Sequence, residues 1–361
     1  MLVGLLSLST QGQGLLQRGN NARDKGLDGL AEGYYRQAVD TSAEARMQLG
    51  LLLQRLERYA EAAQWLAQAD TTAASMTALA ECQIENANFT DARTSAEKAI
   101  ELSDEADSAL RSSAMISMAL VNCSNQNFTN ALDWIHRAEK ECGATPRLLN
   151  AMGVIHHRRG NDAEAIRCFN RALKIAPSNT DASFNLGAMH CYRGNHDMAI
   201  SVLRKGLKQE NRSVKLYYCL GWAYLLKGDS QRATQCLQTV LDIDSMHVNA
   251  HNRMGDIFFS KGQYNEALDH YRHAARIAPH LPEAQRLMGR TYTETGQFTK
   301  ALSHLQRATT IDPSDHQTYC QIAELYERQR QPKRAQANYK RAARLGNEKA
   351  RQWCVRKGVA Y

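Results

Sequence analysis

The sequence is poor in residues that interrupt helices or form linkers. It contains six prolines in 361 residues, and no tract is rich in serine and glycine. A flexible connection between domains usually needs such a tract, so we expect one continuous structural domain. A single compact core would be unusually large at this length. An architecture that grows in one dimension avoids that limit.

Cysteine pairs are absent as well. The nine cysteines are scattered singly along the chain, and no C-x-x-C sequence occurs. This absence gives no support to a zinc site or a thioredoxin-type site. An odd number of cysteines at irregular spacing is typical of buried small apolar residues in a reducing compartment. We therefore expect a cytoplasmic protein rather than a secreted or periplasmic one.

Signatures of catalysis are also missing. The sequence contains no G-x-x-x-x-G-K-[ST] phosphate loop, no G-x-S-x-G nucleophile elbow and no G-x-G-x-x-G dinucleotide fingerprint. Each of these patterns places glycines where a backbone must approach a phosphate or expose a nucleophile. We expect no enzymatic activity, no cofactor and no metal site.

The apolar stretch at residues 1–11 is far too short to span a bilayer, and it lacks the basic start of a signal peptide. We expect this segment to pack on the first structural unit. The alternative is that it is the remnant of a trimmed targeting sequence.

What the chain does contain is a period of 34 residues. Glycines recur at this interval, and an alanine follows each of them twelve residues later. These pairs are Gly153 and Ala165, Gly187 and Ala199, Gly221 and Ala233, Gly255 and Ala267, and Gly289 and Ala301. A fixed period of this length indicates one supersecondary unit copied along the chain, each copy burying its apolar face against its neighbours.

One copy, residues 248–281, shows how the unit folds. Its first half carries Met254 and Ile257 at helical spacing, and Gly262 ends that helix. The second half places Tyr271 on a helical stripe, and Pro279 stops it. The pattern predicts an antiparallel helix pair joined by a short turn.

The residue types that recur at the same positions of each copy resemble those of a known family. Residues 282–315 supply the pattern as Met288, Gly289, Tyr292, Ala301, Leu305, Ala308 and Pro313. This pattern resembles the tetratricopeptide repeat. The resemblance implies an all-α fold, a right-handed superhelical solenoid of about nine antiparallel helix pairs with a C-terminal capping helix. Residues 45–50 and 342–346 also resemble the related Sel1-like repeat.

The resemblance places the repeats between the apolar segment at 1–11 and a capping helix at 350–361. The repeats lie at about 12–42, 43–72, 73–106, 112–145, 146–179, 180–213, 214–247, 248–281, 282–315 and 316–349. The spacing is irregular among the first three and lengthens near residues 107–111.

In this family, side chains of each first helix line a concave groove. Carried over to this chain, the candidate groove residues are Asn150, His157, Arg158, Phe184, Tyr192, Tyr218, Trp222, Leu225, Leu226, Asn252, Phe259, Arg286 and Arg290. Seven of these are large and apolar where a solvated groove would favour polar side chains, which is typical of an interaction site. We expect the groove to bind an extended or helical segment with apolar and some acidic side chains. The alternative is that these aromatic side chains are ordinary core.

Charge is distributed unevenly along the chain, whose net charge is +8. Residues 1–106 hold 9 Lys and Arg against 15 Asp and Glu, whereas residues 316–361 hold 11 against 3. We predict a non-enzymatic protein-interaction scaffold, adaptor or co-chaperone-like protein. One alternative is a self-assembling scaffold whose acidic N-terminal end docks on the basic C-terminal end of another copy. A second, which we disfavour, is binding of nucleic acid or anionic lipid by the basic end.

Overall fold

The computed structural model describes residues 2–104 and 107–361, with side chains in 12–104 and 107–361. Within these ranges the protein is all-α and contains no strand, which confirms the predicted fold class. The chain divides into two compact units, Met1–Leu186 and Gly187–Tyr361. Among the described helices, none combines the length and apolar character needed to cross a membrane.

The first unit contains ten complete helices. They are α1 Leu2–Asp24, α2 Asp28–Ala38, α3 Ala43–Arg55, α4 Tyr59–Leu66, α5 Ala73–Glu85, α6 Phe89–Leu102, α7 Ser108–Ser124, α8 Phe128–Cys142, α9 Pro146–Arg158 and α10 Asp162–Ile175. The next helix, α11 Thr180–Tyr192, contains the boundary between the units.

The second unit continues with ten helices. They are α12 His196–Gln209, α13 Val214–Leu226, α14 Ser230–Ile243, α15 Val248–Ser260, α16 Tyr264–Ile277, α17 Pro282–Glu294, α18 Phe298–Ile311, α19 His316–Arg328, α20 Pro332–Arg344 and α21 Glu348–Arg356.

Each helix pair closes around a small residue on its first helix. In α15, a Cβ added to Gly255 would lie 2.7 Å from Cδ1 of Tyr271 on α16. In α9, a Cβ added to Gly153 would likewise lie 2.8 Å from Cδ1 of Phe169 on α10. Tyr271 and Phe169 are among the largest fully buried side chains. The repeated glycine therefore lets a large side chain of the second helix lie against the backbone of the first.

The turn inside each pair uses a left-handed residue. Gly262 has φ +74° between α15 and α16, and its N–H donates to the carbonyl of Phe259 at 3.0 Å. Gln263 N–H then donates to the carbonyl of Phe258, also at 3.0 Å. This arrangement satisfies carbonyls at the helix end that would otherwise lack partners.

First helices also touch one another along each unit. In the first unit α5 contacts α7, and α7 contacts α9; in the second, α15 contacts α17, and α17 contacts α19. Ring contacts link two further first helices of the second unit to their neighbours: Tyr192 of α11 lies against Trp222 of α13, and Tyr218 of α13 lies against His247 at the start of α15. We call the surface formed by residues 187–192 of α11 together with α13, α15 and α17 the first-helix face.

The last helix, α21, packs on α20. The ring of Trp353 stacks on Tyr339 with centroids 4.3 Å apart, and its indole N–H donates to Oε1 of Glu327 at 2.9 Å. Tyr339 is buried. These contacts are those expected of a capping helix, although a capping role for residues 350–361 stays a prediction.

We expect Trp353→Ala to lower the free energy of unfolding by about 1–3 kcal/mol, because it removes an aromatic pair and a hydrogen bond. Urea denaturation followed by circular dichroism measures this. The matched control is Val355→Ala, which truncates a side chain of the same helix that is 72% exposed. If the two variants lose equal stability, α21 does not cap the stack through Trp353.

We expected residues 1–11 to pack on the first structural unit, but their side chains lie outside the described residues. The backbone of α1 runs from Leu2 to Asp24 without a break. The Sel1-like resemblance near the ends likewise stays a prediction.

Candidate functional site

The candidate groove residues fall in both units, and those of the first unit are Asn150, His157, Arg158 and Phe184. Asn150 accepts a hydrogen bond from the side-chain amide of Asn185 at 2.9 Å, which ties α9 to α11. Phe184 is half-buried. These two positions form a mixed polar and apolar surface.

His157 and Arg158 lie at the exposed end of α9. His157 Nδ1 is 2.9 Å from Oδ1 of Asp162, across the turn to α10. Arg158 donates to the hydroxyl of Ser124 at 3.4 Å. Both side chains remain accessible, but each already has a partner within the unit.

The first-helix face has an apolar part, formed by residues of α11 and α13. Tyr192 is 74% exposed and meets Trp222 edge to face, with ring centroids 5.0 Å apart. Trp222 and Leu225 are half-buried, and Leu226 is 43% exposed. The indole is therefore not enclosed in the core. An aromatic pair with one open member has the form of a binding hot spot.

Beside it lies a polar cluster centred on Asp256 of α15. Its Oδ1 accepts hydrogen bonds from the Tyr271 hydroxyl at 3.0 Å and from Arg290 Nη2 at 3.1 Å. Arg253 approaches Oδ2 at 3.4 Å. The Arg290 guanidinium also lies 4.0 Å from the centroid of the Phe259 ring. Burial, followed by the charge of Asp256, raises the pKa of Tyr271, which remains a neutral donor.

Arg286 is also neutralised within the face. Its side chain is 15% exposed and lies 3.9 Å from Glu283 and 3.6 Å from Asp315. The two arginines at Asp256 are paired as well. All three guanidinium groups are therefore balanced by carboxylates, which weakens the electrostatic basis for the acidic side chains expected of a partner.

Asn252 lies at the base of the face and is 4% exposed. Its Oδ1 has no hydrogen-bond partner among the described residues, and the same holds for Nε of Arg290. A buried acceptor without a partner costs about 1–3 kcal/mol. Such a group needs an explanation, which for an enclosed oxygen is a bound water rather than a partner segment.

Behind the face lies a histidine cluster that the repeat pattern did not single out. Nδ1 of His251 is 3.1 Å from Nδ1 of His270, and His251 Nε2 is 3.2 Å from the carbonyl of Ser245. The ring of His273 stacks on His251 with centroids 5.2 Å apart. His247 accepts the N–H of Ala250 as the N-cap of α15 and contacts Tyr218 of the face.

Burial lowers the pKa of His270 to about 4, and nearby histidines add to this effect. Burial also lowers the pKa of His251. The available sequence signal was the spacing of four residues between His247, the N-cap of α15, and His251. Nevertheless, within the described residues no group of three or more His, Cys, Asp or Glu side chains is arranged to hold a metal ion.

The nine cysteines are unpaired, and all except the half-buried Cys142 are buried. This agrees with their interpretation as small core residues.

Comparison with known proteins supports the repeat assignment. One tetratricopeptide repeat model matches residues 144–212 and 247–314. A second matches residues 43–76, 214–245 and 316–345. The sequence has no significant match among curated proteins.

Solved structures show the same fold. A tetratricopeptide repeat protein from Parabacteroides merdae ATCC 43184 is 18% identical, with a TM-score of 0.56 over 67% of this chain and 96% of the other. The Cut9–Hcn1 hetero-tetramer of the APC/C gives 13% identity and a TM-score of 0.51 over 96% of this chain and 90% of that one. At these identities the likeness concerns the fold alone. Together with the matched repeats and the glycine-centred helix pairs, it shows that this chain belongs to the tetratricopeptide repeat family.

Proposed function

We propose that this protein is a non-enzymatic scaffold or adaptor whose first-helix face holds a segment of another protein. Tetratricopeptide repeats serve generally as protein-interaction scaffolds. The observation that carries the proposal is the open aromatic pair of Tyr192 and Trp222 on that face. An exposed Tyr beside a half-buried Trp leaves apolar area that a partner side chain can cover.

The chemistry of the face describes the segment that it would bind. Leu225 and Leu226 extend the apolar area beyond Trp222, so the segment carries apolar anchor side chains. The arginines of the face are already paired, so acidic side chains contribute less to affinity than the apolar anchors do.

We expect the double substitution Trp222→Ala and Tyr218→Ala to weaken capture of the native partner by about 2–4 kcal/mol, the range of a hot-spot loss. Affinity capture from the native cells identifies the partner by mass spectrometry. Titration calorimetry with the identified segment then gives the loss. Circular dichroism must show an unchanged helix content.

The matched control removes two exposed apolar side chains away from the face, by Val355→Ala with Tyr361→Ala. This control variant is expected to capture the partner as the native protein does. Equal capture by the native protein and by the Trp222/Tyr218 variant would rule out this face as the binding site. A co-chaperone-like role is a narrower form of the same proposal, and it would follow only if the captured partner were a chaperone.

Self-assembly through oppositely charged ends is less well supported. Many carboxylates of the first unit already pair internally; Glu32, for example, binds both Arg36 and Arg58. Arg36 and Arg58 also both bind Glu61. The acidic excess of residues 1–106 is therefore only partly available to another copy. A measurement of molecular mass across a salt series tests this alternative, since association between exposed charges weakens with salt.

A further inference from the structure

Two neighbouring second helices carry cations without any acidic residue. Together, α18 and α20 contain seven Lys and Arg and no Asp or Glu. These residues, which we call the α18/α20 basic surface, are Lys300, Arg307, Lys333, Arg334, Lys340, Arg341 and Arg344. Six of the seven are exposed, and Lys340 is half-buried.

None of these seven cations lies within ion-pair distance of a carboxylate of the described residues. Two cations on neighbouring helices do have carboxylate partners. Arg328 pairs with Glu294 at 2.6 Å, and Lys349 pairs with Glu324 at 2.5 Å. Arg330, Arg351, Arg356 and Lys357 also lack such a partner among the described residues, but α18 and α20 together carry seven cations and no carboxylate. A cluster of unpaired cations creates a positive potential that attracts anionic groups.

Two of the guanidinium groups are held in place. Arg341 lies 4.1 Å from the centroid of the Tyr319 ring, and Arg334 lies 5.6 Å from that of Tyr326. Such contacts restrict the side chain before any partner arrives, so less entropy is lost when it binds. Both rings belong to α19, the helix on which α18 and α20 pack.

The spacing of the cations suits an extended chain. Lys333 and Lys340 are seven residues apart on α20, as are Arg334 and Arg341, which corresponds to about 10 Å along a helix. An extended segment covers that distance in about three residues. Because α18 and α20 share one core cluster through Leu305, Tyr319 and Tyr339, the two helices present their cations from adjacent repeats.

We propose that the α18/α20 basic surface docks an Asp- and Glu-rich segment of a partner protein. This second interaction site is separate from the first-helix face. Carboxylates match the planar guanidinium in two-point hydrogen bonds. Single-stranded nucleic acid would also need open aromatic rings for base stacking. The rings in contact with these cations are Tyr292, Tyr319 and Tyr326. Tyr292 and Tyr319 are buried, and Tyr326 is half-buried beneath Arg334, so an acidic protein segment fits the surface better.

The test uses the full chain and a fluorescein-labelled peptide of alternating Asp and Glu, about 20 residues long so that it can span both helices. Fluorescence anisotropy at about 0.15 M salt measures binding under physiological screening. The triple variant Lys333→Glu, Arg334→Glu and Arg341→Glu is expected to bind the peptide at least about tenfold more weakly. Circular dichroism must show that its helix content is retained.

The matched control reverses three cations of another second helix, through Arg204→Glu, Lys205→Glu and Lys208→Glu on α12. It changes the net charge by the same amount and is expected to reduce affinity far less. Equal loss in both triple variants would show that only net charge matters and would overturn the proposal. Tighter binding of an oligothymidine of equal length, or of phosphatidylserine vesicles, would also overturn it.

The Trp222/Tyr218 double variant separates the two sites. It is expected to bind the acidic peptide with native affinity even where it fails to capture the partner of the first-helix face. If it lost the acidic peptide as well, that peptide would bind on the first-helix face, and the α18/α20 basic surface would not be a site of its own.

Discussion

Gly255→Ala is expected to lower the free energy of unfolding by about 1–3 kcal/mol, the cost of overpacking a tight core. The new methyl group would lie 2.7 Å from Cδ1 of Tyr271. Tyr271 is fully buried and its hydroxyl is bonded to Asp256, so the ring is restrained at both ends and cannot simply rotate away. This penalty outweighs the gain of about 1 kcal/mol that alanine brings over glycine inside a helix.

The chain offers a matched control at the same position of the preceding repeat. A Cβ on Gly221 would meet Leu237 at 3.2 Å and Cys236 at 3.4 Å. A leucine that needs to move by a few tenths of an ångström adapts far more easily than a tethered tyrosine. Gly221→Ala is therefore expected to be close to neutral. Thermal or urea denaturation of both variants measures the difference, and equal effects would contradict the role assigned to Tyr271.

The repeat positions explain why so much of the fold could be predicted. Where a large side chain must lie against the first helix, the same position needs a glycine in one copy after another, as Gly153 and Gly255 show. The turn residues were less regular. Glu57, Ala87 and Arg330 occupy the left-handed region where most copies have glycine. A pattern of residue types cannot reveal such positions, because the surrounding helix pair imposes the conformation.

The lengthened spacing near residues 107–111 also has a structural reason. Helix α7 has 17 residues, whereas most first helices have 13. Arg111, in its added first turn, pairs with Glu141 at 3.0 Å and donates to the carbonyl of Ser103. The extra turn is thus held by contacts with residues up to 30 positions away, and a local sequence pattern cannot predict such contacts.

The candidate site shows the same limit. The resemblance selected positions on first helices, and Tyr192 and Leu226 are indeed exposed. It could not show that Arg286 and Arg290 face Asp315 and Asp256, since Asp315 lies 29 residues further on at the start of α19 and Asp256 belongs to the preceding repeat. The sequence alone therefore overstated how far the arginines of the face would favour acidic side chains. The α18/α20 basic surface, whose cations have no carboxylate partner among the described residues, lies on helices that the resemblance does not assign to the groove.

Acidification is expected to destabilise the second unit through His270. Burial lowers the pKa of His270 to about 4 in the folded protein, whereas an unfolded histidine titrates near 6.5. The unfolded state therefore binds more protons between these values. The stability present above about pH 6.5 is lost as the pH falls toward 4, and it changes no further below that. Because His270 is only half-buried, solvent screening reduces the loss to about 1–2 kcal/mol.

The groups that face His270 reinforce this direction. Its Nδ1 is shared with Nδ1 of His251, and two protonated rings cannot share one hydrogen bond. The charge of His273 acts in the same direction, whereas that of Asp269 opposes the effect only weakly. Phe258 stacks on the ring and provides no charge.

His270→Asn is therefore expected to flatten the pH dependence of unfolding between about pH 7.5 and pH 4.5. The substitution introduces the residue that stands at the equivalent position two repeats later, Asn338. Urea denaturation across this range measures the change relative to the native protein, so that the titration of carboxylates common to both cancels. His280→Asn makes the same substitution at an exposed histidine and is expected to leave the slope unchanged. If His270→Asn kept the native slope, His270 would bind protons equally in the folded and unfolded states, and its burial would have no thermodynamic consequence.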